Sequence, residues 1–183
     1  MAVKTAIVGL SQTTHDDAPW GNPDWEIWGL PWDEGYWPFY DRLFEMHDIR
    51  LLENASCRPK NYLDRLKELD QPLYMQKSYF DNATEFPFWQ FKRKYWNSSI
   101  SYALSLSLRE ADEIGLWGVD MKAEDEYAYQ RPNIEYWLGI AEGKGIKVHI
   151  PEASPILKFQ GKGIYFGNSQ YEYKDRYGWL GES

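Results

Sequence analysis

Residues 98–121, SSISYALSLSLREADEIGLWGVDM, constrain the fold more than any other stretch. From Ser99 to Leu108 small polar and apolar residues alternate, as in a half-buried strand, whereas Ile100, Ala103, Leu104, Leu108 and Ala111 fall on one helical face. The charged run 109–113 favours the helix. Ile114-Gly115-Leu116-Trp117-Gly118-Val119 is then a short apolar run suited to a strand covered on both faces. The spacing predicts a helix over 98–111 feeding a strand over 114–119, with Asp120 just past the strand's carboxyl end. Open α/β sheets bind their ligands at such ends. Asp120 equally suits the cap of a following turn, and both readings stay open.

Other apolar runs repeat the pattern. Residues 3–10 read as a first, central strand closed by Gly9, with Ser11 opening a long polar loop; Gly9 would let a ligand approach the backbone. Residues 24–30, between two prolines, read as a second strand and 42–48 as a third, whose end carries the polar pair His47-Asp48. His15 reads as a solvent-facing loop residue. NYLDRLKEL at 61–69 has the apolar stripe of a surface helix, 71–76 reads as a fourth strand, and 77–97 as an irregular, aromatic, partly basic connection. A helix is expected over 133–142, ended by Gly143 and Gly145, and a last strand over 147–150, stopped by Pro151. His149 lies on that strand. Pro132 disfavours helix at Arg131.

Strands alternating with helices imply an α/β fold, a single-domain Rossmann-like three-layer sandwich with a mostly parallel sheet. The 183 residues read as one domain, 1–183, with a core at 3–150 and an aromatic tail at 151–183, the latter a docked flap or an oligomer contact. Ten Trp and fourteen Tyr argue against disorder despite a mean hydropathy of −0.66. The aromatics suit either a pocket lining or covers for the sheet edges. A net charge of −8 argues against nonspecific binding of duplex DNA. Phe91-Lys92-Arg93-Lys94-Tyr95-Trp96 is a local exception, with three cations among aromatics that suit phosphate and bases or form a solvated face. The single cysteine, Cys57, excludes an intrachain disulfide and a cysteine-based zinc site within one chain, and no residue is singled out as a metal ligand. No secretory leader or membrane-length apolar run is evident, and a cytoplasmic protein is expected. Neither the dinucleotide nor the P-loop glycine fingerprint is present, and the sequence names no cofactor.

Gly9-Leu10-Ser11, Asn97-Ser98-Ser99, Gly118-Val119-Asp120 and Tyr127-Ala128-Tyr129, spanning residues 3–150, resemble the nucleotide-loop, helix-start and strand-end motifs of bacterial sialyltransferases with a Rossmann-like core. Hydroxymethylpterin pyrophosphokinase-like proteins are similar in the same places, and the whole chain looks like small proteins encoded by tailed bacteriophages. The resemblance implies a cytidine nucleotide sugar as ligand, with Ser11 and Ser99 facing the nucleotide and Tyr127 and Tyr129 approaching its phosphate. The family's histidine general base after the tyrosines has no counterpart here, where Arg131, Pro132 and Asn133 stand instead.

The expected site therefore gathers Gly9, Ser11, Asp48, Ser99, Tyr127, Tyr129 and Arg131 as ligand-binding residues, with Asp120 or His47 accepting a proton. Arg131 is expected to stabilise phosphate charge, for which its planar fork is suited, or else to pair with Glu124, Asp125 or Glu135. Two functions fit. One is a nucleotide- or nucleotide-sugar-binding group transferase or nucleotide hydrolase. The other is a noncatalytic phage accessory protein that binds a host protein or sequesters a nucleotide signal, using its exposed aromatics.

Overall fold

The computed structural model describes residues 2–32, 34–54, 59–121 and 126–158. Seven strands form one sheet: β1 (Lys4–Val8), β2 (Trp25–Gly29), β3 (Arg42–Glu45), β4 (Leu73–Met75), β5 (Ala83–Glu85), β6 (Glu113–Trp117) and β7 (Lys147–His149). Their order is β5-β4-β3-β2-β1-β6-β7, and every pair is parallel. Lys4 of β1 is in register with Trp25 on one side and Glu113 on the other, so β1 is interior, as its apolar run predicts.

The period-2 alternation of the strands divides the core into two layers. Ile7, Trp28, Phe44, Ile114 and Leu116 point to one face, where α3 (Ser99–Ser107) and α4 (Glu126–Gly143) pack with Ile100, Leu104, Ile134, Trp137 and Leu138. Ala6, Val8, Ile27, Leu43, Leu73, Met75 and Trp117 point to the other, against Leu52 of α1 (Ile49–Asn54), Tyr62 and Leu66 of α2 (Tyr62–Lys67), and Tyr40. The result is the expected three-layer α/β arrangement. Many aromatics are core packing: Phe86 stacks on Phe91, and Trp96 stacks on both Tyr102 and Trp137.

The elements depart from the sequence reading in several places, and β3, expected to reach Asp48, ends at Glu45 where the next helix is about to begin. Helix α3 stops at Ser107 and β6 at Trp117, where Gly118 turns the chain at φ 61°. Two elements, β5 and α1, were not expected; each is so short that no periodic pattern can develop in it. Helix α4 begins at Glu126 and runs through Pro132, although proline removes a backbone donor and disfavours helix before it. Tertiary bonds compensate, because Asn133 Nδ2 and Trp137 Nε1 both donate to the Tyr95 carbonyl, at 2.9 and 2.8 Å. Finally, His15 is buried, not solvent-facing: its ring meets Tyr36 edge-on at 4.5 Å and Trp20 at 5.3 Å, and its Nδ1 lies 2.9 Å from Asp16. No helix among the described residues is long and apolar enough to cross a membrane. The expected aromatic tail lies, from residue 159 onward, outside the described residues.

Candidate functional site

The chain adds β2 to β5 outward on one side of β1, then returns to add β6 and β7 on the other. The strand order reverses at β1/β6, and the carboxyl ends of those two strands flank the crevice that parallel α/β sheets use for ligands. Here two glycines meet. A β-carbon at Gly9 would lie 2.5 Å from the Gly118 carbonyl oxygen and 2.9 Å from Val119, and one at Gly118 would strike the Gly9 carbonyl. The space expected to admit a ligand at Gly9 is thus taken by the neighbouring strand end. Gly9 N donates to Trp117 O at 2.9 Å and Ser11 N to Gly118 O at 2.8 Å, which extends the ladder past both strands.

Beyond that crossing a polar network joins the two loops. Thr13 Oγ1 donates to Asp120 Oδ2 at 2.5 Å, and Ser11 Oγ lies 3.4 Å from Thr13 Oγ1. Thr14 Oγ1 accepts from Gly118 N at 2.8 Å. Asp120, 8% exposed, is therefore held by the β1 loop, on the same sheet edge as Ser11.

A second cluster stands two strands away, about 10 Å at the usual strand spacing. Glu45 ends β3 on the face it shares with Leu43, and its side chain is 1% exposed. One carboxylate oxygen accepts from the Tyr62 hydroxyl at 2.5 Å; the other meets His47 Nδ1 and accepts from His47 N at 3.3 Å. A buried carboxylate needs such partners, and here it also fixes an imidazole that is half-exposed. A tautomer with the proton on Nδ1, facing Glu45, would leave Nε2 as the accepting nitrogen that a general base needs. Ser99 Oγ at the start of α3 accepts from Met46 N at 3.3 Å, and Gln76 Nε2 donates to Met46 O at 2.8 Å. Those bonds hold the β3 end against α3 and β4. Ser98 and Ser101 cap α3 reciprocally, each side chain accepting from the other's backbone N–H.

The remaining expected residues are dispersed. Asp48 opens α1: its side chain accepts from Arg50 N at 2.9 Å and pairs with the Arg50 guanidinium at 2.6 Å, which holds the Asp48 carboxyl well below the usual carboxylate range. Tyr129 is exposed on α4, and its carbonyl accepts from Asn97 Nδ2 at 2.6 Å. Tyr127 belongs to the first turn of α4, with a side chain outside the described residues. Arg131 donates from Nε to Glu135 at 2.8 Å and from Nη2 to the carbonyls of Pro155 and Lys158, tying α4 to the segment after β7. Glu135 is among the partners named in advance; Glu124 and Asp125 lie outside the described residues. His149 stacks on Trp117 at 4.9 Å.

Glu45, Tyr62 and Thr13 were not anticipated. A signal for Glu45 existed, since alternation along β3 sets an acid on the same face as buried Leu43. Nothing local distinguishes Thr13 or Tyr62. Among the described residues no three His, Cys, Asp or Glu side chains gather as a metal site.

No family model matches the sequence, and no curated protein matches it. Among solved structures, the sialyltransferase CstII from Campylobacter jejuni, in complex with a substrate analogue, cytidine-5′-monophosphate, aligns with 98% of this chain and 99% of its own, at 14% identity and a TM-score of 0.47. The strand order and the wholly parallel pairing by themselves make this chain a Rossmann-like α/β protein.

Proposed function

We propose that the carboxyl edge of the sheet binds a nucleotide or nucleotide sugar and promotes transfer of its group to an acceptor hydroxyl or to water. The observation that carries this reading is His47, oriented by buried Glu45, on the sheet edge that also bears the β1/β6 strand-order reversal. His47 Nε2 takes the acceptor's proton as the acceptor oxygen bonds to the transferred group, and the nucleotide departs with the electron pair of the broken bond. Ser11, Ser99 and the Thr13-held Asp120 orient the donor, with Tyr129 on α4 beside its phosphate. Arg131 and Asp48 already serve the fold through Glu135 and Arg50, and the reading does not depend on them.

Isothermal titration with a panel of nucleotides and nucleotide sugars tests it. Micromolar binding, about −8 kcal/mol, is expected for at least one compound. Asp120→Asn should weaken that binding, and His47→Ala should leave it intact while lowering turnover about 100-fold or more. Silence across the panel, or turnover indifferent to His47, overturns the reading.

A further inference from the structure

Away from the sheet edge, a cleft of about 490 Å³ is lined by Lys92, Arg93, Lys94, Tyr95 and Tyr136. The connection from β5 to α3 lies along the middle of α4 here, pinned where the Tyr95 carbonyl accepts from Asn133 and Trp137. That anchor is backbone, and Tyr95 as a residue is 44% exposed, its ring meeting Tyr136 edge-on at 5.2 Å. Three consecutive cations line the same opening, and among the described residues none of them forms an ion pair. Elsewhere in the chain Arg42, Arg50, Lys67, Arg131 and Lys147 each take a carboxylate. Three exposed, uncompensated charges side by side repel one another, and a polyanion relieves that repulsion.

Cations that follow a phosphate chain, beside an exposed aromatic ring on which a base can stack, are the two components of single-strand recognition. We propose that this cleft binds single-stranded nucleic acid, with Lys92, Arg93 and Lys94 on successive phosphates and a base against Tyr95. The volume, about 490 Å³, is enough for a nucleotide unit. Trp89, 85% exposed three residues before Lys92, offers a further stacking surface at the same loop. The net charge of −8 keeps the rest of the molecule unattractive to a duplex, which confines binding to the cleft.

Fluorescence anisotropy with a labelled oligothymidylate of about twelve nucleotides, using the full chain, tests the proposal. Three phosphate contacts predict that log K falls against log salt with a slope of about −2. The triple variant Lys92→Gln, Arg93→Gln, Lys94→Gln should lose about tenfold or more at low salt, with an unchanged thermal midpoint as the control for folding. Tyr95→Leu keeps the backbone anchor and should cost about fivefold or more. A duplex of equal length should bind more weakly than the single strand. No binding at low salt, affinity unmoved by the triple variant, or loss in the triple variant with Tyr95→Leu silent each overturns it; the last outcome would mark a phosphate site that ignores bases. Inorganic tripolyphosphate serves as the competitor for that case.

Discussion

At Gly9 and Gly118 two strand ends cross with no room for a β-carbon on either, and Gly118 adds a φ of 61° that L side chains adopt at a cost. Gly118→Ala should therefore destabilise the protein by about 1–3 kcal/mol, through backbone strain and collision with the Gly9 carbonyl. Urea unfolding measures it; an unchanged midpoint would mean that the crossing is looser than drawn. The same single-residue view explains what the sequence disclosed about the candidate site. Gly9, Ser11, Gly118 and Asp120 each follow an apolar run, so their position at strand ends was legible, and Thr13 does bring Ser11 and Asp120 to one edge. The purpose of Gly9 was not legible, because only the neighbouring strand shows what occupies its missing side chain. His47 stood out as polar at a strand end, whereas Tyr62, which accompanies it on Glu45, lies on a helix 17 residues from Glu45 and carries no local mark.

Helix α3 joins the two layers of function, since its first residue touches the β3 end and its middle packs on the sheet. Leu104 is fully buried there, and Leu104→Ala should cost about 2–5 kcal/mol, read as a fall in the urea or thermal midpoint. A midpoint that does not move would refute the packing of α3 on β1. Legibility at this scale follows length and burial. Strands β1 and β6 are doubly covered and so write nearly continuous apolar runs, which place them within a residue or a few of their bounds. Strand β5, three residues with two exposed, has too little apolar content to stand out, and α1 buries Leu52 alone. The amino-terminal turns of α4 were hidden by Pro132, whose local penalty is offset by tertiary bonds from Arg131 to Pro155 and Lys158 and from Asn133 and Trp137 to Tyr95.

Across the whole molecule the two edges of the sheet are built from different forces. The carboxyl edge carries the hydrogen-bonded groups proposed as the site; the amino edge is drawn together by charge. Glu113 of β6, its side chain 14% exposed, lies 2.9 Å from Lys147 of β7 and 3.7 Å from Lys4 of β1, and these three residues are in register across three strands. The hydrogen bond from Lys147, helped by the charges of Lys147 and Lys4 and opposed by burial, lowers the Glu113 carboxyl below the ordinary glutamate range. Because the folded state thus prefers the ionised form, Glu113 contributes stability in full above the unfolded glutamate value of about 4.3. That contribution is lost as the pH falls through the lower, folded value. Lys147 is 73% exposed, so solvent screening limits the effect to at most about 1 kcal/mol. Urea midpoints of the parent and Glu113→Gln should accordingly differ at pH 7, draw together in 1 M salt, and converge as the pH falls through the lowered folded value and the parent's carboxyl takes up its proton. A gap that persists undiminished down to the lowest pH at which the parent stays folded would assign the role of Glu113 to packing, and the electrostatic account of the amino edge would fail.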